Sequence, residues 1–251
     1  MRITERKYFD FYIKAIGNEI PRLIVNFDFS DNRGNFEYMT KSSAVYSSNI
    51  EGNSIDLNSY MNFELNRDKS GKEIEEIENL IEAYEFAQNN KLNEQNLLNC
   101  HKIFSDTLLI RSKRGKYRLE QVGVFGKYGL AYLAVEPEFV EKEMKLFFQD
   151  LDALISSKLN ETEVFYFASL IHLRFAHILP FRDGNGRAAR LIEKWFISEK
   201  LGVNFWKIPS EEYYKKMQTH YYNTINLVVN FYELNYNNCL AFLEMLPNCL
   251  K

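Results

Sequence analysis

The sequence predicts an all-α domain carrying one small β-hairpin. Three observations lead there. Apolar residues recur at helical spacing in segment after segment. Only 5 prolines and 11 glycines interrupt 251 residues, which favours long regular elements. One stretch, Tyr117 to Val135, drops the helical period and sets Gly126 and Gly129 between two β-prone runs. At 46% hydrophobic content the chain can build a substantial core.

In chain order, the segment MRITERKYFDFYIKAIGNEI mixes charges and aromatics at helical spacing and lacks the unbroken apolar stretch of a signal peptide. Ser47 and Glu51 are four apart and share a helix face, with Gly52 next as a natural C-terminal stop. Glu64 to Lys72 is the most loop-like polar stretch. Ile74, Ile77, Ile81 and Tyr84 form the first clear stripe. Val140, Met144, Phe147, Leu151 and Leu154 form the next. A third runs through Val164, Ala168, Ile171, Phe175 and Ile178, and a fourth through Ala188, Leu191, Ile192, Trp195 and Phe196, each read as one face of a core-packing helix. NNCLAFLEML reads as a final helix ended by Pro247. The hairpin, marginal by itself, is expected to lie on the helical body with one edge unpaired.

Composition narrows the function classes. A formal charge of −3 and a pI near 5.9 give no basic field for nucleic-acid phosphates. No apolar run approaches the roughly 20 residues of a membrane span. Cys100, Cys239 and Cys249 are odd in number without close ligand spacing, so buried or free thiols in a reducing cytoplasm are expected over disulfides. The aromatic-rich tail, Tyr213 to Tyr236, serves either the core or self-association, and a homo-oligomer is compatible with it.

The densest chemistry lies in LPFRDGNGRAAR, Leu179 to Arg190. Gly184-Asn185-Gly186 permits a tight bend through left-handed backbone. Backbone N–H groups then converge at a helix N-terminus, a combination that binds phosphate oxygens. Arg187, Arg190 and Lys194, at i, i+3 and i+7, share a face that could reach a polyphosphate. Asp183 could hold Mg²⁺, which takes one or two carboxylates plus phosphate and water oxygens. Piecewise, these are a turn and a solvated basic face; together, behind Pro180-Phe181, they read as an anion site.

PFRDGNGRAAR resembles the signature of the Fic (Fido-domain) family, His-Pro-Phe-x-Asp/Glu-Gly-Asn-Gly-Arg-x-x-Arg. HLRFAHI is similar to the family's preceding helix, GKYRLEQVGVF to the entry of its flap, and SSNIEGNSI to its inhibitory motif, Ser/Thr-x-x-x-Glu-Gly/Asn. The resemblance implies a Fic helical domain with a β-hairpin flap, in which residues 1–60 carry the inhibitory motif and 61–251 the core, packed as one unit. It implies transfer of AMP from Mg-ATP to a hydroxyl of a target protein. Asp183 would take Mg²⁺, and Gly184, Asn185 and Gly186 would form the anion hole. Arg187 and Arg190 would grip the outer phosphates, while Phe181 pins the loop. The target would dock on the 117–135 flap as an added strand. Glu51 would pair with Arg190 and occupy the outer-phosphate position, assisted by Ser47.

The departure is Leu179, where the family has its proton-accepting histidine. A positioned base contributes about 10²–10⁴-fold, whereas ATP binding draws on separate interactions. His177 is a candidate substitute if the helix ends before it; His172 matches a family helix position and suggests a structural role. His101 and His220 read as packing or surface residues. Two other functions compete with an impaired transferase: a non-catalytic nucleotide-responsive regulator, and a hydrolase that removes AMP from a modified protein.

Overall fold

The structure, a computed structural model, describes residues 2–29, 36–66, 71–126 and 129–251. Helices α1 (Phe9–Ala15) and α2 (Ile20–Asn26) precede α3 (Phe36–Ile50), α4 (Leu57–Asn66), α5 (Lys72–Gln88) and α6 (Glu94–Phe104). The hairpin β1 (Gly123–Gly126) and β2 (Gly129–Leu133) follows, and then the long helices α7 (Pro137–Ser156), α8 (Glu161–Ile178) and α9 (Asn185–Leu201). Four short helices close the chain: α10 (Ser210–Lys216), α11 (Gln218–Ile225), α12 (Leu240–Leu243) and α13 (Met245–Asn248). Among the described residues no helix is long and apolar enough to cross a membrane. The three cysteines are buried and unpaired.

Helix α8 is the axis on which the site depends. Its start is fixed by a capping box: Asn160 Oδ1 accepts the Glu163 N–H (3.0 Å), and Glu163 Oε2 accepts the Asn160 N–H (2.9 Å). The apolar stripe read from the sequence understates this helix. Phe165, Tyr166, Phe167, Leu170 and Leu173 are buried as well, because α1, α2, α7, α9, α12 and α13 all pack on it. A helix apolar all round belongs in a core. Helix α9 lies along α8 and is buried almost throughout, with Arg187, Arg190, Glu193 and Lys194 carried into the interior.

Helix α3 packs against α5, α9 and α10. The expected division at 60/61 falls inside α4. Of the stretch Glu64 to Lys72 expected as a loop, Glu64 to Asn66 belong to the end of α4 and Lys72 to the start of α5, with residues 67–70 outside the described ones.

Two expectations change. The strands of the hairpin occupy only 123–126 and 129–133; residues 117–122 are its irregular root, and Lys127 and Tyr128 lie outside the described residues. Its register leaves Ala131 without a partner, since Val124 pairs with Tyr132 and Phe125 with Leu130. The β2 edge is partly covered, because Leu133 N–H donates to Val229 O (2.7 Å) and bridges Asn230 in parallel. Finally, Pro247 does not end the last helix but sits within α13, where a first-turn position loses no N–H bond.

Candidate functional site

Helix α8 stops at Leu179, whose backbone turns left-handed at φ 47° and ψ 61°. For leucine this costs roughly 1–2 kcal/mol, because Cβ crowds the following carbonyl. Arg118 holds the turn in place. The residue is 2% exposed and donates to Leu179 O (2.7 Å), Val135 O (2.5 Å) and Glu120 O (2.9 Å). Its backbone N–H donates to Pro180 O (2.9 Å). One cation thus ties both roots of the hairpin to the helix end, where the dipole also favours it. The Leu179 side chain packs on Tyr132 and Ala134, under the hairpin.

Beyond Pro180 the loop is pinned by its own side chains. Phe181 is fully buried and stacks on His101, with centroids 3.6 Å apart. His101 Nδ1 accepts the Gly115 N–H (2.9 Å), which leaves Nε2–H to donate to Asp183 O (3.1 Å). Burial lowers the His101 pKa to about 4 and keeps the ring neutral. The Asn185 amide closes the loop by accepting from Phe181 N (2.8 Å) and donating to Phe181 O (2.9 Å). Gly184 is doubly required: its φ is 81°, and a Cβ there would overlap the Phe104 ring.

At the mouth of the loop, exposed Asp183 accepts the Gly184 N–H through Oδ1 (2.6 Å). The first intrahelical bond of α9 is Ala188 N–H to Gly184 O (3.0 Å), so the amides of Asn185, Gly186 and Arg187 precede it at the positive end of the helix. Over this end lies the carboxylate of Glu51. A Cβ at Gly186 would overlap Glu51 Oε1, so any larger residue there would push the carboxylate aside.

Arg190 holds that carboxylate. It is fully buried, and all three of its nitrogens are engaged: Nε donates to Ser47 Oγ (2.9 Å), Nη2 to Ser47 O (3.0 Å) and Glu51 Oε1 (2.8 Å), and Nη1 to Tyr221 OH (3.2 Å). Burial pushes the Glu51 pKa up, but Arg190 and Arg187 outweigh it and hold the group below its ordinary range. Arg187 pairs with Glu76, while its Nε is a buried donor without a partner among the described residues. Behind Arg190 a buried polar chain continues. Tyr221 OH meets His172 Nε2 (2.9 Å), His172 Nδ1 meets Glu193 Oε2 (2.9 Å), and Tyr214 OH donates to Glu193 Oε1 (2.9 Å).

The structure therefore brings Ser47, Glu51, Gly184, Asn185, Gly186, Arg187 and Arg190 to one place, with Asp183 at its rim. Two expectations are corrected. Lys194 does not reach the cradle: it is fully buried, pairs with Glu211 and donates to Ser43 Oγ (2.6 Å), bracing α9 against α3 and α10. His177 is no substitute base. It lies inside α8, is 2% exposed, and has both ring nitrogens engaged, Nδ1 with Tyr236 OH (2.9 Å) and Nε2 with Ile225 O (2.8 Å). Burial lowers its pKa to about 3. Arg118, Tyr221 and the orienting role of His101 are not legible in the sequence, although Arg118 stands in GKYRLEQVGVF just before a β-prone run.

The donor set fits a polyphosphate. A glycine leaves room against the helix end, a buried Arg187 donor lacks an acceptor, and an anion already sits on Arg190. Among the described residues no three His, Cys, Asp or Glu side chains gather as a metal site. A magnesium ion at Asp183 would therefore complete its shell from phosphate and water.

Residues 91–197 match the model of the Fic/DOC family. A 78-residue stretch is 38% identical to the Protein adenylyltransferase Fic of Nematostella vectensis, covering 31% of this chain and only 16% of that relative. The fold is similar to that of a Fic family protein from Desulfovibrio desulfuricans, with TM-score 0.76, 22% identity, and coverage of 95% of this chain and 71% of that one. A Fic domain containing signaling protein from Bacteroides thetaiotaomicron superposes with TM-score 0.70 at 19% identity, over 95% and 93% of the two chains. Fic-1 from C. elegans does so with TM-score 0.67 at 18% identity, over 96% and 70%. The family match covers residues 91–197, and the likeness to the solved structures is one of fold.

Proposed function

We propose, taking a Fic/Fido domain as premise, that this chain binds Mg-ATP in the cradle between Asp183 and Arg190. Glu51 restrains that binding, and transfer of AMP to a target hydroxyl is slow because Leu179 offers no proton acceptor. The observation that carries the reading is the Glu51 carboxylate, which rests over Gly186 and on Arg190, where an outer phosphate would have to sit. A site that holds one anion with a buried arginine and a helix end is chemically suited to another.

In this reading the 185–187 amides and Arg187 orient the phosphates, with Asp183 as the protein ligand of the magnesium ion. Magnesium would supply charge neutralisation when bound. Attack of a hydroxyl on the α-phosphorus releases pyrophosphate and one proton. Leu179 cannot take that proton, and His177 is closed off by Tyr236 and Ile225. The target segment would dock along the hairpin, where Phe125 (75%) and Val124 (46%) remain exposed.

Calorimetric titration with Mg-ATP tests the binding. Glu51→Gly is expected to tighten affinity by about tenfold or more, as removal of a competing charge-assisted pair should. Absence of measurable purine nucleotide affinity in that variant would remove the proposal. A second reading, a nucleotide-responsive protein without turnover, is favoured by the burial of Leu179 under the hairpin in place of a titratable group.

A further inference from the structure

The end of α3 is held more firmly than a helix terminus requires. The last four carbonyls of a helix lack intrahelical partners, and here each one can be accounted for. Ser47 O accepts from Arg190 Nη2 (3.0 Å), and Ser48 O from the backbone of Glu51 (3.0 Å) and Asn53 (3.1 Å). Asn49 O accepts from Gly52 N (3.2 Å) and Lys215 Nζ (2.8 Å). Ile50 O accepts from both Gln218 Nε2 (2.8 Å) and Tyr222 OH (2.7 Å). Three side chains of one short segment, spanning α10 and α11, therefore converge on the two carbonyls just before Glu51. Lys215 Nζ also donates to Gln218 Oε1 (2.9 Å), which orients the pair. The Lys215 charge further suits the negative end of α3.

Glu51 itself is loosely enclosed. Its side chain is 28% exposed while its partner Arg190 is 1% exposed. The position of the carboxylate therefore depends on where the α3 end is kept as well as on Arg190.

We infer that Lys215, Gln218 and Tyr222 are positioning residues for Glu51. They latch the α3 terminus so that the carboxylate stays over Gly186, and releasing them raises affinity for a nucleoside triphosphate. The inference rests on the cradle's being a triphosphate site, and it adds a control point on α10–α11. Tyr222 is 44% exposed, so the latch can be reached from outside. The gain in affinity is bounded by the population of the Glu51-out state, so Glu51→Gly sets its ceiling.

The test combines Lys215→Met, Gln218→Leu and Tyr222→Phe and titrates Mg-ATP by calorimetry, with Glu51 present and with Glu51→Gly. With Glu51 present, about tenfold tighter binding is expected, equivalent to about 1.4 kcal/mol. In the Glu51→Gly background the same changes should alter affinity by less than about twofold. Lys215→Arg, which keeps a donor, should bind nucleotide as the unmodified chain does. Equal tightening in both backgrounds, or none where Glu51→Gly alone tightens binding, overturns the latch. Hydrogen exchange at the Glu51, Gly52 and Asn53 amides reads the latch without nucleotide. Faster exchange in the combined variant is expected, and unchanged exchange sinks the latch whatever the cradle binds. If Glu51→Gly shows no nucleotide affinity while exchange does quicken, the functional reading fails and the latch survives as a structural clamp. Tyr222→Phe, which removes one hydroxyl, carries both measurements should the combined variant not fold.

Discussion

Leu179 combines a backbone that suits few side chains with a side chain that cannot titrate. Histidine tolerates the left-handed region better than leucine, so Leu179→His eases the turn while giving up apolar contact with Tyr132 and Ala134. Under the proposed function this variant should label target protein from radiolabelled ATP about 10²-fold faster than the unmodified chain, the lower end of what a general base contributes. Equal rates would disconnect Leu179 from any loss of activity. The glycines and arginines of the loop were legible because their spacing reports local geometry. Arg118 was not, since its acceptors at 120, 135, 178 and 179 are joined only by the fold. The closure of His177 is hidden in the sequence for the same reason. Its partners come from Tyr236 and Ile225, far along the chain.

Among the elements, the hairpin depends most on borrowed support. Its strands are short, and it is tied to the body by the Arg118 fan and by Leu133 pairing with Val229. Arg118→Met would leave buried carbonyls at 135 and 179 without their donor, at a cost of about 2–3 kcal/mol. Amide exchange over 123–126 and 129–133 should accelerate in this variant, with a lower thermal midpoint. Unchanged exchange there would make Arg118 a bystander. Periodicity revealed the long helices because burial of one face leaves a regular trace. It understated α8, since a helix covered on every side has no polar face to mark its period. The end of α3 was legible from Ser47, Glu51 and Gly52, but the donors on α10 and α11 were not, because they meet backbone atoms that carry no residue identity.

For the whole molecule, His101 and His177 link folding to pH. Their folded pKa values, about 4 and about 3, lie below the unfolded value near 6.5. Between those limits the unfolded chain binds more protons than the folded one, so stability is full above pH 6.5 and falls as pH drops. Each histidine contributes about 1.4 kcal/mol per pH unit within its window. Denaturant midpoints measured between pH 7.5 and 5 should decline, and His177→Gln should remove about half of the slope. An identical slope in that variant would assign the pH dependence to other groups. The burial of α8 on all sides has a last consequence. The phosphate-type cradle grows directly from the most enclosed helix, whereas the Glu51 side chain, just beyond the end of α3, is 28% exposed. Thermal fluctuation is thereby divided unequally across the pocket: one wall opens only when the protein melts, and the other yields once the donors on α10 and α11 let go.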